Sequence, residues 1–418
     1  MPVELLAPAQ NFKTLKVVAG VADAIYFGVE SFNMRMRAKN FCREEITKVS
    51  KFCREHDLKA YLTTNVILYN EELDDARDLI QTAYNSGIDA IIVHDMAAIQ
   101  ICREIGIPFH ISTQASISNI VAAQYYEALG AERLILAREL SLKQIAEIKK
   151  NLNHAKVECF VHGAQCTSIS GRCYFSADVC GTSENSANRG RCIQPCRRQW
   201  TVTDEEGNQF EYDGFYFLNT KDLCMIEHVP QLIAAGIDAF KIEGRMRRPD
   251  YVEVVTHCYR EAIDACYEGA YTPEKVNGWL ARLKQVYNRG FSTGFYFGRP
   301  TEKDINYARG NVSTLCRQEI GIVLAYFPDL HAAELLITQG QLKIGDEVCI
   351  EGINTDTYFR QVVKSIQIKR QPVPETPVLA GKNQKITVSM LVDEPVKKND
   401  RIYKYIPRQE LSSPTYQE

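Results

Sequence analysis

Seven of the chain's 14 cysteines fall between Cys159 and Cys224, six of them inside ECFVHGAQCTSISGRCYFSADVCGTSENSANRGRCIQPCRRQW. Thiols in helices and strands usually serve as small buried hydrophobes, but a loop rich in Gly, Ser, Asn and Arg has no apolar layer for them to fill. Such a loop holds something inorganic or is cross-linked. Cys166 and Cys173 are separated by six residues, Cys192 follows after eighteen more, Cys196 lies four beyond Cys192, and Cys224 sits later in NTKDLCMIEH. Structural zinc normally shows two short C-x2-4-C pairs, because two ligands share each tight turn, and only Cys192 and Cys196 form one. Iron-sulfur clusters take four thiolates at more varied spacing. The spacing favours a cluster and leaves zinc, or no metal, open.

The start of the chain, MPVELLAPAQ, has no charged-then-apolar leader, and no apolar run reaches the roughly 18 residues that span a bilayer. A cytoplasmic protein without a membrane partner is expected, and in a reducing compartment metal or redox use of clustered thiols is favoured over disulfides. With 418 residues, 45% hydrophobic and 24% charged, the chain can bury a large core and divide into two domains. A net charge of -3 argues against coating nucleic acid by bulk charge, but not against a local basic patch. That patch exists between Cys166 and Trp200, where Arg172, Arg189, Arg191, Arg197 and Arg198 face only Asp178 and Glu184. It suits RNA phosphates, and Tyr174, Phe175 and Trp200 beside it could stack an unpaired base.

The elements that must position this loop follow from the hydrophobic pattern. Strand-like runs at 3–8, 24–29, 59–64, 90–95, 109–113, 133–137, 157–163 and 239–244 alternate with amphipathic helical stretches such as REEITKVSKFCREH. Eight strands alternating with helices predict an α/β fold, a (β/α)8 TIM-like barrel, with an open doubly wound sheet as the alternative. In such a barrel the residues just after each strand carry the function. That reading brings Arg35, Arg37, Gln114, Arg138, Glu139, His162, Glu243 and Arg245 to one mouth beside the cysteine loop. Arginine forks there suit a carboxylate or phosphate ligand. The expected division is a catalytic domain over 1–290 with the cysteine-rich insertion at 164–200, a linker over 291–316, and a small C-terminal β-barrel over 317–418, where short alternating runs replace the helices.

The runs ECFVHGAQC, SGRCYFS and NRGRCIQPCRR, then NTKDLC and KIEGR, together with ELLAPA, STQ and ARELSL, resemble the signature of the collagenase-like peptidase family, peptidase family U32. Motifs in this order span essentially the whole chain. The resemblance is strongest to those members that serve prephenate-dependent, oxygen-independent hydroxylation of the wobble uridine of tRNA to 5-hydroxyuridine. It implies a 4Fe-4S cluster on Cys166, Cys173, Cys192 and Cys224, with Cys196 in reserve. It also implies tRNA and prephenate, a small dicarboxylate, as partners, and leaves room for a partner protein of the same family.

On that expectation Arg35, Arg37, Arg138 and Arg245 with Gln114 bind the acid, Arg197 and Arg198 bind RNA, and Glu243 or Glu139 moves protons. Two other classes stay open: a collagenase-like endopeptidase, and a non-catalytic RNA-binding or assembly protein. No HExxH or GxSxG motif is present. A cysteine peptidase would have to pair a loop thiol with His162, four residues before Cys166.

Overall fold

The computed structural model describes residues 2–211, 218–307, 310–379 and 384–410, and the chain divides into two compact units, Met1–Val312 and Ser313–Glu418. The last eight residues of the expected C-terminal domain, 411–418, lie outside the described residues.

All eight expected barrel strands form, as Glu4–Pro8, Ala24–Phe27, Lys59–Thr64, Ala90–Val93, Phe109–Ile111, Arg133–Ile135, Lys156–Gly163 and Ala239–Ile242. Each pairs in parallel with the next, and the eighth pairs with both the seventh (Ala239 opposite Glu158) and the first (Glu4 opposite Ala239). The sheet is a closed (β/α)8 barrel, and the open-sheet alternative falls. Runs such as AIYF and AIIV are buried throughout, because each strand is covered on both faces. Helices pack outside by their apolar stripes: Ile46–Glu55 buries Ile46, Val49, Ser50 and Cys53 at helical spacing. Met96–Ile105 is capped by Asp95, whose carboxylate accepts from the Ala97 N–H at 2.8 Å, and stops at Gly106 with φ 82°.

The barrel interior is polar at its N-terminal end. Glu158, fully buried on the seventh strand, accepts from Lys241 Nζ at 2.7 Å and Arg133 Nη1 at 2.9 Å, and Arg133 also reaches Glu4 at 2.7 Å. This network closes the bottom and leaves the C-terminal ends as the open face. Two short strands outside the expected eight extend the sheet: Asp222–Cys224 runs antiparallel to the seventh strand and parallel to Phe291–Ser292.

The second unit is an eight-stranded antiparallel sheet around its own apolar core, which includes Ile320, Val323, Leu335, Val348 and Ile402. Its longest strand, Leu315–Phe327, pairs with Ala332–Ile337 and Arg401–Pro407. Among the described residues, no helix in either unit is long and apolar enough to cross a membrane.

Candidate functional site

A pocket opens at the C-terminal ends of the strands and is lined by Arg35, Gln114, Arg138, Lys241, Glu243 and Arg245 among others. Glu243 follows the eighth strand and bonds Arg35 Nη2 at 3.0 Å. Burial alone would raise its carboxyl, but Arg35, Arg247 and Arg138 outweigh that and hold it below the usual carboxylate range. Arg138, after the sixth strand, lies 4.0 Å over the Phe160 ring and donates to the Ala164 carbonyl at 3.0 Å. Arg245 lies deeper, and burial pulls its guanidinium down to about 10. Gln114 bonds both Ser112 and Asn65 at the floor. The pocket thus sets three arginines against one carboxylate, which is paired with Arg35. Its Lys241 is already matched by Glu158.

The cysteine loop sits on this mouth at points that exclude side chains. A Cβ on Gly190, at φ 74°, would overlap the Asn33 carbonyl, and one on Gly171 would lie 2.8 Å from Gln114 Cγ. The Met36 N–H donates to the Gly190 carbonyl at 3.0 Å, Arg37 bonds Asn185 at 2.6 Å and the Arg191 carbonyl at 3.1 Å, and Arg189 forks onto Glu72. Four of the loop thiols share one neighbourhood. Cys192 feels Cys166 and Cys173, and Cys196 feels Cys166 and Cys192; burial first, and then these like charges, raise both thiols. The Gln194 N–H points at Cys192 Sγ, 3.3 Å away, from a left-handed residue at φ 57°. Soft thiol donors on one loop, with a backbone amide aimed at one of the sulfurs, have the chemistry to hold a thiophilic metal or an iron-sulfur cluster.

The model of Peptidase family U32 matches residues 10–306. The chain belongs to that family. It is 40% identical over 412 residues to an uncharacterized protease of Methanocaldococcus jannaschii, covering 96% of this chain and 98% of the relative. It is 37% identical over 420 residues to a protein named collagenase from Porphyromonas gingivalis, covering 97% and 99%. To the tRNA hydroxylation protein P1 of Bacillus subtilis it is 35% identical over 371 residues, covering 86% of each chain.

In this U32 protein the expected site residues separate into groups. Arg35, Gln114, Arg138, Glu243 and Arg245 meet in the pocket. Arg37 does not: it is exposed and spent on the cysteine loop. Glu139 is exposed and is not among the residues that line the pocket. Arg197 is a clamp, bonded to Asn219, the Thr220 carbonyl and the Gln165 carbonyl, whereas Arg198 is exposed. The surroundings of Cys192 include Cys166 and Cys173, and those of Cys196 include Cys166 and Cys192. Cys224 is buried on the strand Asp222–Cys224, where the antiparallel register sets it opposite His162. Its thiol meets Tyr259, and burial pushes it up to about 12.

His162 is no partner for a loop thiol. It is 2% exposed, walled by Tyr259 and Phe291 at ring distances of 5.5 and 5.7 Å, with Nδ1 3.4 Å from the Tyr259 hydroxyl. Burial lowers it to about 4. The folded state therefore refuses a proton that the unfolded chain accepts between pH 6.5 and 4. Stability from this group is present above pH 6.5 and lost as pH falls towards 4, by roughly 3 kcal/mol. Urea unfolding of His162→Gln across that range is expected to show a flatter acid slope than wild type; an unchanged slope would refute the assignment.

Among the polar pocket residues that escaped the sequence reading are Tyr26, Thr63, Asn65 and Lys241. The signal was alternation. Lys241 shares the inward face of its strand with Glu243, two residues on, and a charged residue inside a strand reads as exposed until the barrel closes.

Proposed function

We propose that this protein hydroxylates RNA without molecular oxygen, converting the wobble uridine of tRNA to 5-hydroxyuridine with prephenate as hydroxyl donor. The observation that carries this reading is the mouth pocket itself, in which Arg35, Arg138 and Arg245 face the single carboxylate of Glu243 directly under a loop of gathered thiols. A surplus of two buried positive charges suits a small dicarboxylate, and the RNA-modifying relative supplies the substrate class. Arg138 and Arg245 bind carboxylates, Gln114 orients the acid, and Glu243, once released from Arg35, takes up or returns a proton through Oε1. A 4Fe-4S cluster held by Cys166, Cys173, Cys192 and Cys196 would supply one-electron or Lewis-acid chemistry at the mouth. Of the basic loop residues, Arg172, Arg191 and Arg198 remain exposed for tRNA phosphates. Tyr174, 73% exposed, is free to stack a base, whereas Phe175 and Trp200 pack against each other, tilted by 37° with centroids 5.2 Å apart.

The collagenase name among the relatives makes peptide hydrolysis the second reading. Its cysteine form loses the base expected for it, since His162 faces Tyr259 inside the barrel wall.

A deletion strain tests the proposal by nucleoside mass spectrometry. 5-Hydroxyuridine should fall at least tenfold in bulk tRNA, returning with the wild-type gene but not with Cys173→Ala. Undiminished 5-hydroxyuridine in the deletion strain would remove the tRNA assignment. RNA binding by the purified protein without any change in modification would leave only the binding or assembly role.

A further inference from the structure

Arg245 is 3% exposed, yet among the described residues no carboxylate forms an ion pair with it. Its Nη1 donates to Thr63 Oγ1 at 3.0 Å, its Nη2 to Asn33 Oδ1 at 3.0 Å and to Asn40 Oδ1, and its Nε–H has no hydrogen-bond partner. Other buried arginines of this barrel sit on carboxylates: Arg133 on Glu4 and Glu158 at 2.7 and 2.9 Å, Arg289 on Asp222 at 3.1 Å. The carboxylate available in the same pocket, Glu243, bonds Arg35 instead.

A buried cation left on neutral oxygens is costly, because amide and hydroxyl dipoles return only part of its hydration. The chain nevertheless makes space for it. Gly28, just past the second strand, has no room for a side chain: a Cβ there would collide with Arg245 Nη2 and lie 2.9 Å from Asn33 Cγ. Its φ is not in the left-handed region, so the requirement is for space and not for backbone freedom. Asn33 and Asn40 are tied down in turn, their amides donating to the carbonyls of Val29 at 2.5 Å and Arg35 at 3.1 Å. Their oxygens are thereby aimed at the guanidinium. The cage fixes the fork in position and leaves its charge intact.

We infer that Arg245 is the fixed anchor for one carboxylate of the small acid, and that Gly28, Asn33, Asn40 and Thr63 are positioning residues that hold its guanidinium without neutralising it. This rests on the reading of the mouth pocket as a small-acid site. Arg245 takes the ligand through its unpartnered Nε–H, the donor its cage leaves unused. Arg35 and Glu243 form the exchangeable pair beside it. An RNA phosphate is disfavoured as the occupant, because the guanidinium that lines the pocket is only 3% exposed.

The test needs no RNA and no bound metal. Calorimetric titration of the intact protein with prephenate, and with succinate as a plain dicarboxylate, is compared among wild type, Arg245→Met and Asn40→Asp. Asn40→Asp decides the matter, since it keeps an acceptor on Arg245 but adds the missing negative charge. We expect both variants to bind the acids at least tenfold more weakly, with the unfolding midpoint of Asn40→Asp equal to or above that of wild type. Wild-type affinity in Asn40→Asp would show Arg245 to be merely structural and overturn the inference alone. Binding of neither acid to wild type would remove the small-acid reading and the inference with it. Weaker binding of a single-stranded RNA oligonucleotide at unchanged acid affinity would reassign Arg245 to phosphate and also overturn it. Should Asn40→Asp fail to fold, Arg245→Met, neutral and of similar length, carries the comparison.

Discussion

Glu158→Gln is expected to cost the barrel unit roughly 3–5 kcal/mol, the penalty for leaving buried charges without their partner. Glu158 is fully buried and holds two cations at once, Lys241 at 2.7 Å and Arg133 at 2.9 Å. Burial drives the Lys241 ammonium below its usual range, against which Glu158 is the chief opposing influence, so the variant strands a charge that has nowhere to go. Arg133 keeps Glu4, and the loss therefore falls mainly on Lys241. Pairing Glu158→Gln with Lys241→Met, which removes the stranded ammonium, should recover a large part of the loss. Urea unfolding followed by circular dichroism measures both. A loss under about 1 kcal/mol in the single variant would contradict the closed ionic floor described here.

Gly190→Ala is expected to lift the cysteine loop from the barrel and abolish function while sparing the fold. Two costs coincide at this position. The residue sits at φ 74°, which costs an alanine roughly 1–2 kcal/mol, and its methyl would overlap the Asn33 carbonyl. Neither cost relaxes locally, because Asn33 is fully buried and bonded to Arg245. The loop has to move instead, taking the Met36–Gly190 hydrogen bond and the Arg37 contacts with it. Bound iron and 5-hydroxyuridine formation should each fall at least tenfold, with an unfolding midpoint close to wild type. Full activity in Gly190→Ala would mean that the seating of this loop is irrelevant to the chemistry.

The barrel was legible in the sequence because parallel strands buried on both faces read as short unbroken apolar runs, and AIYF and AIIV do so without ambiguity. The mouth was legible by position: Arg35, Gln114, Arg138, Glu243 and Arg245 all follow strands and all line the pocket. Failures came where tertiary context decides. Arg37 and Arg197 were equally well placed along the chain, but loop and turn oxygens consume them. His162 looked like a strand-end residue open to solvent until Asp222–Cys224 paired alongside it. The same pairing seats Cys224 beside the seventh strand, opposite His162, and spacing alone cannot say which way a strand runs. Gly28 gave no signal, since it is needed for a guanidinium that arrives from more than two hundred residues away.

Anaerobic purification with an absorption spectrum and iron, sulfide and zinc assays per chain tests the central claim most directly. The account predicts broad visible absorption with about four irons and matching sulfide. Both should disappear in Cys192→Ala and in Cys196→Ala and persist in Cys224→Ala. A colourless protein with stoichiometric zinc, or with no metal, would contradict it and return peptide hydrolysis to first place.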